Sequence, residues 1–265
     1  MMKYRKIFIG LMLIAFGLLS VSIVFAGDGT SEWKAWTSKK NDGGFDGHGG
    51  FFYGYQLVDF KDLKDLAKDM GIEVPKNGLR GWGGFGMGNL GGGFRIGGAG
   101  YGFWGKYSGV AVDTREAGPE DDKQYNRVME VSISGGGVTL EYSPWMIGPV
   151  NYGFGVLIGG GSLMVRLHQD DGTFSWNDLT GQYTDFNAEK ENIVTEISQG
   201  FFILNPYLAA RIHILDWMAV DTAVGYNFNT ANSSGWYFGD REIAGEGSTI
   251  NPRNFYFRVG MAFGG

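Results

Sequence analysis

The chain contains no cysteine. A disulfide framework and thiolate metal sites are therefore excluded. Histidine is nearly as scarce, with only His48, His168 and His213, which leaves imidazole chemistry few places to operate. Proline occurs six times and no Gly-X-Y period accompanies it, so a collagen-like fibre is excluded. After Ala26 no apolar run approaches the roughly 18 residues of a membrane-crossing helix. Any integral contact with a bilayer by the rest of the chain would then require a closed barrel of strands.

Basic residues are also in deficit, 22 Lys and Arg against 28 Asp and Glu. Three of the basic ones, Lys3, Arg5 and Lys6, precede an uncharged apolar stretch from Ile7 to Leu19, and Ser20 to Ala26 close it with small residues at the end. That order predicts a secretory signal peptide cut after Ala26. An uncleaved anchor helix is the other reading, shortened by Gly10, Gly17, Ser20 and Ser22. Without the leader, 19 basic residues face 28 acidic ones, an excess of nine negative charges that disfavours nucleic acid as a partner. The organisation expected is a signal peptide over 1–26, a flexible lead over 27–48 and one all-β domain over 49–265.

Glycine is abundant, 47 residues, and aromatics make up 15%. Glycine weakens strands unless a sheet bends or backbones crowd, so it should mark curvature and close approach. The clearest periodicity lies at the end. Phe255, Phe257, Val259, Met261 and Phe263 share one parity, and Tyr256, Arg258, Gly260 and Ala262 share the other. This is a strand with two different environments on its faces.

Upstream, strand one is expected at about 49–60, with Phe51, Tyr53, Tyr55 and Leu57 on one side. Between Phe60 and Ile72 the period changes: Phe60, Leu63, Leu66, Ala67 and Met70 line one helical face, predicting a short amphipathic helix ended by Gly71. A glycine-dense hairpin follows, 79–88 and 91–105, joined at Asn89-Leu90. Strand four is expected over 127–142 and strand five over 150–167. In both, the apolar parity flips at a glycine triplet, Gly135-Gly136-Gly137 and Gly159-Gly160-Gly161, which predicts paired bulges at a barrel corner. Strand six spans 193–215 with a bend or an interruption at Pro206, and a turn at Asp216 leads into strand seven, 218–228. That turn sets Arg211 opposite Asp221 on the small, polar face and predicts an internal ion pair, with His213 in the same network. Residues 229–253 read as a loop.

The linkers alternate long, short, long, short, long, short, long: the helix segment, Asn89-Leu90, 106–126, 143–149, 168–192, Asp216 and 229–253. Short turns on one side and long loops on the other, an even strand number and a polar interior are the pattern of outer-membrane barrels. The hairpin over 206–228 and the aromatic terminal strand over 254–265 resemble the small bacterial outer-membrane β-barrel superfamily. The resemblance implies an up-and-down antiparallel β-barrel of about eight strands in the lipid bilayer of the outer membrane. It also implies recognition of the terminal strand by the barrel-assembly machinery, with Gly264 and Gly265 here following Phe263. Phe255, Phe257 and Phe263 would then point to lipid, and Arg211, Asp221, His213 and Arg258 into the lumen. A secreted soluble β-barrel or sandwich binding module is the competing reading, with the opposite burial.

Chemistry-bearing motifs are sparse. Two G-x-G-x-x-G matches, at Gly86 and Gly100, have no following helix pattern, and a near P-loop ends in Tyr107 where Ser or Thr must stand, so no nucleotide is expected. Asp170, Asp171 and Asp178 form a candidate loop cation site, and Glu120, Asp121 and Asp122 a second acidic loop, neither with EF-hand spacing. His168 near Asp170 and Asp171, with Ser162 on its strand, leaves a lipid-modifying barrel enzyme as a third reading. The six residues between Ser162 and His168 span roughly 20 Å of extended chain. The sequence therefore predicts a non-enzymatic barrel without cofactor, structural, adhesive or small-ligand-associated at the envelope.

Overall fold

The computed structural model describes residues 47–58, 63, 67, 68, 70–73, 78–113, 123–170, 172, 193–231, 234–244 and 254–264. Its strands are β1 Gly47–Gln56, β2 Leu79–Gly91, β3 Phe94–Asp113, β4 Lys123–Ile147, β5 Val150–Asp170, β6 Ile193–Leu215, β7 Met218–Asn229, β8 Tyr237–Phe238, β9 Arg241–Glu242 and β10 Asn254–Phe263. Eight of them close a ring in the order β1, β2, β3, β4, β5, β6, β7, β10, with every neighbour antiparallel and β10 returning to β1. The chain is thus an up-and-down antiparallel β-barrel, and closure removes the edges that an open sheet would expose. The small hairpin β8–β9 adds to β6 outside the ring.

One end of the barrel carries the tight connections. Gly92 and Gly93 turn β2 into β3 with φ of 61° and 84°, values that favour glycine. Gly148-Pro149 and Asp216-Trp217 make the other two turns, and the two chain-terminal strands begin and end at this same end, Gly49 opposite Phe263. The long connections all lie at the opposite end.

Several boundaries differ from the sequence reading. The glycine hairpin turns at Gly92-Gly93, not at Asn89-Leu90, because pairing persists to Gly91↔Phe94 after a register shift. β3 and β4 extend toward each other as far as Asp113↔Lys123, consuming most of the expected 106–126 loop. β4 runs to Ile147, past the expected end at 142. Pro206 does not interrupt β6: it stays in register with Val156 of β5 and lacks a pairing only toward β7, where its missing N–H would be needed. Residues 229–253, expected as plain loop, contain β8 and β9. The expected helix falls mostly outside the described residues. Among its described members, Leu63, Ala67 and Lys68 have helical backbone, and the Leu63 and Ala67 side chains are buried.

The glycine triplets hold no bulge. Gly135, Gly136 and Gly137 pair in unbroken register with Gly161, Gly160 and Gly159. What changes there is the environment on each face. Odd-numbered residues of β4 point inward as far as Ser143, and those of β5 from Gly153 to Val165; a register shift between Tyr142 and Trp145 then turns Trp145 and Ile147 outward. Near the long-loop end the inward residues are Met129, Val131, Ile133, Leu163 and Val165, all fully buried. On the short-turn side of the triplets the even-numbered Val138, Leu140, Phe154 and Ile158 are exposed, and the inward positions mix Leu157 with the polar Thr139, Glu141 and Ser143. The interior gains polar residues past the triplets without any slip in pairing there. Inward glycine makes room there: a Cβ on Gly135 would lie 2.6 Å from the end of the Ile203 side chain and 2.9 Å from the Tyr101 hydroxyl, and one on Gly161 would lie 2.5 Å from the Ser134 backbone oxygen.

Candidate functional site

The short-turn half of the lumen is built from every second residue of each strand, and its centre is charged. Arg211 of β6 stands directly opposite Asp221 of β7, and its Nη2 donates to Asp221 Oδ2 at 2.8 Å. The single-residue parity that places them inward also places Arg258 of β10, whose Nη2 lies 3.4 Å from Asp221 Oδ1. Arg258 is further held over the rings of Phe52, Phe85 and Tyr207 at 5.0–5.2 Å. Asp221 has no exposed surface, and Arg211 and Arg258 are each 4% exposed.

Glu141 of β4 joins this group, although the sequence reading did not single it out. Its Oε1 accepts from Arg95 Nη1 at 2.9 Å and from Ser143 Oγ at 3.0 Å, and lies 3.6 Å from Arg211 Nη2. Tyr207 donates its hydroxyl to Glu141 Oε2 at 3.3 Å. Three guanidiniums and two carboxylates thus form one continuous chain across the lumen, Arg95, Glu141, Arg211, Asp221, Arg258. Removing these charges from water is costly, and the mutual pairing is what makes the burial tolerable. His213 lies two residues along β6 from Arg211, opposite Ala219 and half-buried, and is not among the ion pairs that join the five residues.

Above the charges lies a small cavity bounded by Phe52, Tyr101, Asn205, Tyr207, Asn227 and Arg258, with room for about one water. Beyond it the lumen is closed by the apolar cluster of Phe103, Met129, Val131, Ile133, Leu163 and Ile203. The interior is therefore occupied by side chains at both levels, as the narrow bore of eight strands requires.

Of the loop acids, Asp170 ends β5, where its Oδ1 accepts from Asn126 Nδ2 at 3.1 Å and from the Gly172 backbone N–H at 2.9 Å, and His168 Nε2 lies 3.4 Å from Oδ2. Asp171 and Asp178 lie outside the described residues, as do Glu120, Asp121 and Asp122. Among the described residues no three His, Asp or Glu converge as a metal site. Ser162 bonds Ser134 on the neighbouring strand, Oγ to Oγ 2.9 Å, and does not reach His168.

The outer face carries two rows. Phe94, Tyr142, Phe154 and Leu208 pair in sequence across β3 to β6 near the short turns, and Lys106, Glu130, Arg166 and Glu196 pair in sequence across the same four strands farther up. Alternating charges link the upper row: Lys106 to Glu130 at 3.2 Å, Glu130 to Arg166 at 3.9 Å and Arg166 to Glu196 at 2.6 Å.

The arrangement defines a closed eight-stranded barrel with buried charges and an apolar outer belt. No protein-family model matches the chain, and no curated protein does. Two solved structures of Ail, the attachment invasion locus protein of Yersinia pestis, align with it. One, in complex with the heparin analogue sucrose octasulfate, has 9% identity and a TM-score of 0.39; the other has 10% identity and a TM-score of 0.37. Each alignment covers 83% of this chain and 99% of Ail. At that level the likeness bears on no residue of the lumen or the loops.

Proposed function

We propose that this chain is an outer-membrane β-barrel of the bacterial envelope, non-conducting and non-enzymatic, with a structural or adhesive role. The supporting observation is the sidedness of burial. Phe255 and Phe257 are 53% and 40% exposed, whereas Arg211, Asp221 and Arg258 are at most 4% exposed. A soluble barrel would bury the aromatics and expose the charges. Dimensions agree with this reading. The aromatic row and the charged row are twelve residues apart on each of four strands. At about 3.3 Å per residue and a tilt of about 40°, twelve residues rise roughly 30 Å, the thickness of a bilayer's apolar core.

Past the charged row β3 and β4 continue to the pair Asp113↔Lys123. Those seven further residues rise about 18 Å beyond the membrane on the same geometry. The inner face of this projecting wall is filled by Leu63, Ala67, Ile72, Tyr107 and Trp236, so the wall is supported from within and its outer face is what a partner outside the cell could meet. Lipid is the principal partner, reached through the signal peptide over 1–26 and the barrel-assembly machinery acting on the terminal strand. The test is extraction from membranes followed by electrophoresis with and without heating. A requirement for detergent together with faster migration of the unheated protein is expected. Partition into the aqueous phase without detergent overturns the reading in favour of a soluble binding module.

A further inference from the structure

The charged group of the lumen does not balance. Arg95, Arg211 and Arg258 bring three positive charges and Glu141 and Asp221 only two negative ones, which leaves one positive charge over. The surplus falls on Arg258. Arg95 has a hydrogen-bonded carboxylate in Glu141, and Arg211 has one in Asp221. Arg258 faces Asp221 Oδ1 at 3.4 Å without a hydrogen bond, and the other oxygen of that carboxylate is taken by Arg211. Its Nε and Nη2, which form one edge of the guanidinium fork, are buried with no acceptor. A buried cation short of acceptors is costly.

Arg258 lines the small cavity above the charges together with two amides, Asn205 and Asn227, which are 3% and 1% exposed. Each amide is bonded to a tyrosine hydroxyl: Asn227 lies 3.4 Å from that of Tyr101, and Asn205 reaches that of Tyr256. With the amide nitrogens turned to the hydroxyls, both amide oxygens are buried without a donor. A half-turn of each amide removes that cost, because the tyrosine hydroxyl then donates to the amide oxygen. Both NH2 groups are thereby released toward the cavity. Its wall then offers N–H donors from Arg258, Asn205 and Asn227 with no free amide oxygen among them. A water there would leave the surplus charge unbalanced. An anion answers both the donors and the charge.

We propose that this cavity is a binding site for one monatomic monovalent anion of the size of chloride. The space admits about one water-sized sphere, so sulfate, phosphate and carboxylates are excluded. The ion is a fixed counter-ion to Arg258 and not a permeating one, because the apolar cluster of Phe103, Met129, Ile133 and Ile203 closes the lumen beyond it. The site belongs to the lumen and stands whether the outer face of the barrel meets lipid or water.

Chloride is located by long-wavelength anomalous diffraction from crystals of the full chain grown in chloride, with the sulfur of fully buried Met129 as internal reference. A cavity peak as strong as that sulfur is expected. Cavity density with no anomalous peak beside a visible Met129 sulfur means water only and overturns the proposal, as does an empty cavity. A second readout is urea titration of the folded barrel at constant ionic strength, with chloride exchanged for gluconate, which is too large for the cavity. The midpoint should rise by about 0.7 M for each tenfold increase in chloride above saturation. Asn227→Asp places a fixed carboxylate beside Arg258 and should abolish that dependence while the folded form is kept. A midpoint indifferent to chloride in the unsubstituted protein overturns the site, and so does an undiminished chloride dependence in Asn227→Asp. Loss of detergent dependence or of heat-dependent mobility bears on the membrane reading alone and leaves the diffraction test of the anion in place.

Discussion

Replacing Asp221 by alanine isolates what the buried charges contribute. Asp221 is fully buried and faces two guanidiniums, Arg211 at 2.8 Å and Arg258 at 3.4 Å. At an effective dielectric constant near 20, the shorter contact alone is worth about 6 kcal/mol of attraction before dehydration is subtracted. Removing one partner of a buried pair leaves the other uncompensated and costs about 3–5 kcal/mol. Here two arginines lose their partner, and Arg211 keeps only Glu141, already engaged by Arg95. Asp221→Ala should therefore lower the stability of the lipid-folded barrel by about 3–5 kcal/mol. With a urea slope of about 2 kcal/mol per M, the midpoint falls by about 1.5–2.5 M. The assay is urea titration in lipid vesicles, with the folded fraction read from the mobility of unheated samples. A companion, Arg211→Met with Asp221→Leu and Arg258→Met, removes the charges together and should recover most of the loss, since a well-packed apolar replacement avoids the dehydration cost. A midpoint shift below about 0.5 M for Asp221→Ala would refute the reasoning. A triple variant less stable than the single one would do the same.

Other substitutions separate the barrel's zones. Val259→Arg, outward in the middle of β10 and 44% exposed, should cost about 2–4 kcal/mol in lipid vesicles and would be nearly neutral in a soluble barrel. Arg166→Ala, in the exposed ladder, should move the urea midpoint far less than Asp221→Ala, with the difference shrinking as salt is raised in the same titration. Gly135→Val forces a side chain against Ile203 and Tyr101 and should lower stability by about 1–3 kcal/mol, read by thermal loss of the fast-migrating form. Ser162→Ala should leave the lipid composition of the membrane unchanged, because Ser162 bonds Ser134 and not His168; an altered lipid acyl profile would revive the enzymatic reading.

Alternation with period two marks β1, β4, β5, β7 and β10 in the sequence, and the short turn at Asp216 suffices to set Arg211 against Asp221, because register in a tight hairpin follows from the turn. The parity of Phe255 to Phe263 likewise separated Arg258 from the aromatics. Glu141 was missed for a specific reason. The jump of apolar residues from Ile133 to Val138 was read as a bulge, when the alternation is continuous and the surroundings change. Leu140 and Tyr142 flank Glu141 just as Ile212 and Ala210 flank Arg211, so the same parity argument carried through the glycines would have found it. Arg95 stands between Phe94 and Ile96 with no partner visible in the sequence, and its partner Glu141 comes from the pairing of β3 with β4. β8 and β9, two residues each, are too short to show a period.

The central claim is that the apolar outer face meets lipid while the charges fill the lumen. The cysteine-free sequence allows a nitroxide to be attached at position 257 alone, after Phe257→Cys, in the barrel reconstituted in vesicles. Relaxation of that label by dissolved oxygen, with no effect of a water-soluble nickel chelate, is the predicted result. Strong relaxation by the nickel chelate, as for a label in water, would contradict the account.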